Sequence, residues 1–281
     1  MEKVTFTNSE GLSVELGNER PYVLTKVEGT GAVEADIQTQ KSPYQDGVTY
    51  IGNSLEARVI SLEIVLVAEN EDEMARQRRK IIRVLNPKLG PGTLIYEFGS
   101  GKKEIAAVPE LAPVFFGAGD FRDTMQHGLI QLYCPNPFWR DPRATKVDVA
   151  IWRGSFEFPL QIAQEGIEIG FREPSLIVNI ANPGDVPCGM EIKFRALATV
   201  VNPSLFNVGT RERVKINKTM NAGEVLTVTT HFANKRVELL KQGLTENAFK
   251  WIDLESTFLQ LEAGDNLLRY DADDGIDNLE V

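Results

Sequence analysis

The chain has 281 residues, 42% hydrophobic and 25% charged, an ordinary globular composition with room for one large or two medium domains. It carries a formal net charge of −10, with 15 basic and 20 acidic residues in each half about position 141; such acidity argues against specific nucleic-acid binding and against attraction to anionic membranes. No apolar run approaches the roughly 18–20 residues of a membrane span, and no basic-then-apolar leader opens the chain, so the expectation is a soluble protein made in a cytoplasm.

From the N-terminus, VTFTN and YVLTKVEG have strand texture. Residues 30–57 then form a long polar stretch, poor in core side chains yet holding Tyr44, Tyr50 and Ile51. A connection of that length inside a compact domain is usually functional. It reads as an extended arm whose isolated aromatics pack on another subunit. RVISLEIVLVA follows, with Leu62, Ile64 and Leu66 on one face and Ser61, Glu63, Val65 and Val67 on the other. One helix is predicted over about 70–86: acids crowd its first turn and bases its later ones, which suits the helix dipole. Met74, Ile81, Ile82 and Leu85 mark its apolar stripe, Asp72 can pair with Arg76, and Asn86-Pro87 ends it. Its basic face reads as a solvated or inter-subunit surface rather than a nucleic-acid site, given the acids just upstream. LIYEFG, KEIAAVPEL and HGLIQLYC complete the first half.

At 133–141 the sequence YCPNPFWRD stops a strand with two prolines and then presents two aromatics. Pro135 and Pro137 supply no N–H and cannot continue a sheet ladder. The segment, with Phe138 and Trp139, reads as a stiff interdomain hinge between domains 1–141 and 142–281. Beyond it come LIVNIAN, GMEIKFRALATVV, RVKIN, EVLTVTTHF, RVELL and FLQLEAGDNLLRYDA, with turn residues at short intervals. That spacing predicts a mostly β protein of two sandwich-like domains, the first with one α-helix and the arm.

Chemistry is scarce. His127 and His231 have no partners at metal-ligand spacing, and no metal site is expected. GSGKK at 99–103 lacks the Gly and the Ser or Thr of a phosphate loop, Tyr96 and Lys103 standing in their places, so it reads as a hairpin turn. DADDGID at 271–277 puts its Gly at the wrong place for a calcium loop and reads as an exposed acidic turn. Cys134 and Cys188 read as free, mostly buried thiols. Trp152 and Trp251 are the only tryptophans of the second half; as candidate sugar-binding residues they support an alternative reading of that domain as a carbohydrate-binding host-recognition module. AFKWIDLES, around Trp251, alternates like a strand. No catalytic residue and no cofactor is expected, and the chain does not read as an enzyme.

The strings QKSPYQDGVTYIGNSLEARVISLEIVL, LNPKLGPGTLIYEF and YCPNPFWRD, in that order, resemble the distal tail protein family of long-tailed phages and prophages. INKTMNAGEVLTVTTHFANKRVEL and STFLQLEAGDNLLRYDAD resemble the family's C-terminal, galectin-like β-sandwich. The resemblance implies a structural tail-tip (baseplate) protein, a homo-hexameric ring or double ring. It implies that the ring joins the tail tube protein to the tail-fibre or tail-lysin hub, with receptor-binding protein carried by some members. The implied location is the virion tail tip, with assembly in the host cytoplasm.

Overall fold

A computed structural model describes residues 2–116, 121–122, 124–149, 152–154, 170–172 and 177–281, the short strands at 121–122, 152–154 and 170–172 by their backbone alone. The chain divides into two compact units, residues 1–144 and 145–281. Both are mostly β.

In the first unit the strands are β1 (Lys3–Thr7), β2 (Ser13–Leu16), β3 (Tyr22–Glu28), β4 (Ala35–Gln40), β5 (Thr49–Leu55), β6 (Arg58–Val67), β7 (Gly92–Phe98), β8 (Gly101–Pro109), β9 (Val114–Phe115), β10 (Phe121–Arg122) and β11 (Met125–Cys134). The α-helix α1 (Glu71–Val84), followed by a short 3-10 turn (Pro87–Leu89), stands between β6 and β7. The main sheet runs β2-β1-β7-β8-β11-β6-β3, with antiparallel ladders throughout. Its two terminal strands meet again at a parallel bridge, Gly17 to Val23, where Leu24 N–H donates to the Gly17 carbonyl at 2.7 Å. The sheet therefore closes on itself as a barrel. Closure leaves one inside, which the alternating residues fill: Val4, Phe6, Ile60, Leu62, Ile64, Leu66, Leu94, Ile105, Ile130 and Leu132 are all buried in one cluster.

Helix α1 covers this barrel with Met74, Ile81, Val84 and Leu85. Ile82, expected in the stripe, is 39% exposed, and Val84 takes its place. Both lie about 80° from the stripe's centre on opposite sides, so packing rather than periodicity chooses between them. Asn70 caps the start, accepting from Glu73 N–H at 2.9 Å, while the Glu73 carboxylate accepts from Glu69 N–H at 2.8 Å. At the far end the Asn8 side chain donates to the Val84 carbonyl at 3.2 Å. The Tyr22 hydroxyl meets Gln77 at 3.0 Å, and burial pushes that hydroxyl's pKa up to about 12. Asp72 and Arg76 form no ion pair, contrary to expectation; both side chains point freely into solvent, where such a pair would gain only tenths of a kcal/mol.

The second unit stacks two antiparallel sheets over one core. One sheet orders Ile177–Asn182, Gly264–Asp271, Ser204–Asn207 and Arg213–Lys215; the other orders Leu244–Asn247, Arg236–Lys241, Val225–Thr229, Glu191–Ala196 and Leu279–Glu280. Leu205, Val214, Leu268 and Tyr270 from the first interdigitate with Phe194, Leu226, Val228 and Leu239 from the second, all at most 2% exposed. This is the sandwich that the strand spacing predicts.

Candidate assembly site

Strands β4 and β5 form a two-stranded ribbon that, among the described residues, pairs with no other strand. Its ladder runs from Ala35 opposite Leu55 to Gln40 opposite Thr49, and every residue but Gly52 is exposed. Tyr44 at the tip is fully exposed, Tyr50 is 60% and Ile51 61% exposed, and Ile37, which sequence reading did not single out, is 60% exposed. The polar stretch thus has regular structure of its own. Periodicity could not reveal it, because neither face of the ribbon is buried and alternation is a signal of burial. At the tip, Gln45 closes the turn, its side chain accepting from Ser42 N–H and donating to the Thr49 hydroxyl.

The root of the arm is as fixed as its tip is free. Arg58, at the start of β6, is only 7% exposed, and its guanidinium donates to the carbonyls of Gly29 at 2.6 Å, Gly31 at 3.2 Å and Pro137 at 3.0 Å. The Trp139 indole N–H donates to the Thr30 carbonyl at 3.1 Å, and the Arg58 guanidinium lies 5.9 Å from the Trp139 ring centroid. One buried cation therefore joins the bend after β3, where the arm begins, to the proline segment through charge-assisted hydrogen bonds. Gly29 is required here: its φ is +83°, and a Cβ would sit 2.0 Å from the Val59 carbonyl oxygen.

Pro137 and Trp139 are accordingly tied down within the first unit, while Pro135 is exposed. Trp139 packs on the barrel core and 6.0 Å from Tyr96, and Arg140 exchanges both main-chain hydrogen bonds with Glu104. Phe138 remains 42% exposed. Trp152 lies on a short strand whose side chains fall outside the described residues. Trp251 sits on a 3-10 turn, Phe249–Trp251, not the strand suggested by alternation. It is half-buried against the core of the second unit, with the ammonium groups of Lys250 and Lys218 over its ring at 4.4 and 4.7 Å.

Elsewhere the polar groups serve the fold. GSGKK is the β7–β8 hairpin turn. In the acidic turn, Asp273 is held by Lys215 at 2.7 Å and Asn202 at 2.8 Å, which keep its carboxyl below the usual range. Glu224 is 3% exposed; burial opposes its charge, but the Asn221 N–H with Lys241 and Lys218 outweigh that and hold its pKa down. No group of three or more metal-ligating side chains occurs among the described residues. Cys134 is fully buried, and burial pushes its thiol up to about 11. Cys188, expected to be buried, is exposed; its two-residue strand pairs with Gln260–Leu261 in a small ladder apart from the two main sheets.

The family comparisons fall on both units. Residues 9–134 match the phage tail protein RIFT-related domain, and residues 183–281 match the siphovirus-type tail component, C-terminal domain. The chain belongs to the distal tail protein family of siphophages. Among solved structures, this distal tail protein is similar to the Dit protein of phage SPP1, with a TM-score of 0.67 at 12% identity over 95% of this chain and 94% of that one. It is also similar to a chain of the phage P2 baseplate in its activated conformation with Ca, with a TM-score of 0.58 at 9% identity over 100% and 96%. At these identities the likeness is one of fold. No curated protein matches the chain significantly.

Proposed function

We propose that this distal tail protein is a structural ring subunit at the phage tail tip, a hexamer or double hexamer joining the tail tube to the tail-fibre or tail-lysin hub. The ribbon carries this reading: a β-hairpin with apolar side chains on an otherwise soluble barrel is a surface built to be covered. A heterologous contact of this kind, repeated around an axis, closes into a ring. The SPP1 relative is described as a paradigm of the hub adsorption apparatus in phages infecting Gram-positive bacteria, and the P2 relative belongs to a baseplate. Family membership supports a non-enzymatic part, and the lysines over Trp251 weigh against a sugar-stacking platform there, since stacking needs an open ring face.

Light scattering coupled to size exclusion tests the proposal. Hexamers or dodecamers are expected at high concentration. A strictly monomeric species at tens of micromolar, with the hub partner present, would sink it.

A further inference from the structure

Aspartate followed by glycine is a pair at which a protein backbone can rearrange unaided, and the sequence holds two of them, Asp46-Gly47 and Asp274-Gly275. Glycine matters because it puts no side chain beside the attacking amide nitrogen and lets the backbone turn freely. The two pairs sit in opposite surroundings. At Asp274-Gly275 the linking peptide is engaged on both sides. The Gly275 N–H donates to the Asp274 carboxylate at 2.9 Å, and the Asp274 carbonyl accepts from Val201 N–H at 2.9 Å. The Thr199 carbonyl oxygen packs 2.2 Å from where a Gly275 Cβ would stand, so this peptide has little room to rotate.

Asp46-Gly47 lies at the free end of the ribbon. The β4–β5 ladder holds the chain as far as Gln40 opposite Thr49. It does so through a bulge: the register shifts between Gln38 and Thr39, Ile51 is the extra residue, and Ile37, Tyr50 and Leu55 come to share one face. Beyond the ladder, among the described residues, the turn is tied by Gln45 alone, through Ser42 and Thr49. Asp46 and Gly47 are both exposed, and neither the Asp46 carboxylate nor the peptide between the two has a hydrogen bond or ion pair among the described residues. No atom lies within 4 Å of a Gly47 Cβ position, which leaves space for a ring to close.

We propose that Asp46-Gly47 is a site of spontaneous isoaspartate formation in the folded free chain, while the same pair at Asp274-Gly275 is protected. The Gly47 amide nitrogen gives up its proton and bonds to Cγ of the protonated Asp46 carboxyl. The carboxyl OH leaves with a proton as water, and a succinimide ring remains. Water then adds to either ring carbonyl. Opening at Cγ restores aspartate, while opening at the main-chain carbonyl leaves Gly47 joined through Cγ. One water leaves and one returns, so the mass is unchanged and no oxidant or cofactor takes part. The product carries an extra backbone carbon between Asp46 and Gly47, within the span that Gln45 bridges, and so loosens the tip of the arm. The assignment concerns the free chain and does not rest on the ring-subunit reading.

The test incubates the full, folded chain for several weeks in mildly acidic buffer, then digests it with trypsin and separates the peptides 42–58 and 270–281. Peptide 42–58 should split into two peaks of equal mass. The new peak should resist a protease that cuts before aspartate and accept a methyl group from protein isoaspartyl methyltransferase. Asp274 should stay unconverted in the folded chain and convert only when the chain is incubated in urea. Gly47→Ala, whose added methyl meets no neighbour, should slow the conversion about tenfold by crowding the ring closure. Asp46→Glu should abolish it, because the longer side chain closes a less favourable ring. A single 42–58 peak from the folded chain, an undiminished rate in Gly47→Ala, or conversion at Asp274 matching that at Asp46 overturns the proposal. So does a second peak that persists in Asp46→Glu, which would place the change elsewhere in the peptide.

Discussion

Residues 271–277 and residues 30–57 look alike in the sequence: both are acidic, punctuated by glycine and thin in core side chains. Their structures differ in where the polar atoms find partners. In the first, Asp273 is bound by Lys215 and Asn202, Asp271 accepts from Ala272 N–H at 2.9 Å, and Asp274 accepts from Gly275 N–H at 2.9 Å. In the second, the ribbon's ladder satisfies its backbone while its acids and aromatics are left to solvent. A polar segment whose side chains are satisfied at home is architecture. One whose side chains are not is, on the reading proposed above, a surface for a partner.

The glycines of the two segments offer the sharpest way to break this comparison. Gly275 has φ +73°, and a Cβ there would lie 2.2 Å from the Thr199 carbonyl oxygen. Gly275→Ala should therefore destabilise the second unit by about 3 kcal/mol or more, read as a lowered denaturation midpoint. A loss below about 1 kcal/mol would show that the turn adjusts freely and is not architecture.

An intermediate effect is expected at Glu224, whose carboxylate accepts from the Asn221 N–H and lies beside Lys241 and Lys218 within the unit. Glu224→Gln should cost about 1.5–3 kcal/mol at pH 7, as for hydrogen bonds to a charged group. The folded-state pKa lies below the unfolded one, so the wild-type advantage is fully present above the ordinary carboxylate range and disappears as pH falls through the depressed value. Urea denaturation of both proteins at pH 7 and near pH 3 checks the sign. A gap that widens in acid would mean that burial, not the lysines, governs this carboxyl.

The smallest effect belongs to the arm. Gly47 has φ +76° but nothing within 4 Å of where a Cβ would sit. Gly47→Ala should strain the ribbon tip locally and leave the barrel's denaturation midpoint within about 0.5 kcal/mol of wild type. A larger shift would mean that arm and barrel unfold as one unit.

Much of the fold was legible because burial imprints a period. The inward run Ile60, Leu62, Ile64 and Leu66 of β6 reads directly from the sequence, and so do the first turn of α1 and the short strands of the sandwich. Arg58 escaped notice although it has the same parity as that run; a charged residue at an inward position was the available signal of a buried cation. The arm's two strands and the bulge at Ile51 were not legible, since exposed ladders leave no periodic trace. Trp251 misled because a 3-10 turn of three residues can mimic alternation over so short a window. The prolines of 133–141 announced a break, but only the carbonyls of Gly29, Thr30 and Gly31 show that the segment is bound to the arm's root.

The bulge has one more consequence, for solubility. A ribbon that pairs with nothing else exposes two rows of unused amides and carbonyls, and a flat one would template the stacking of chain upon chain into fibres. The extra residue at Ile51 bends and twists the ladder midway, so neither rim offers an unbroken straight register for an incoming strand. Pro43 and Lys41 beside the tip add a missing donor and a charge. A segment sticky on one face is thereby a poor template for strand-by-strand stacking of one chain on another.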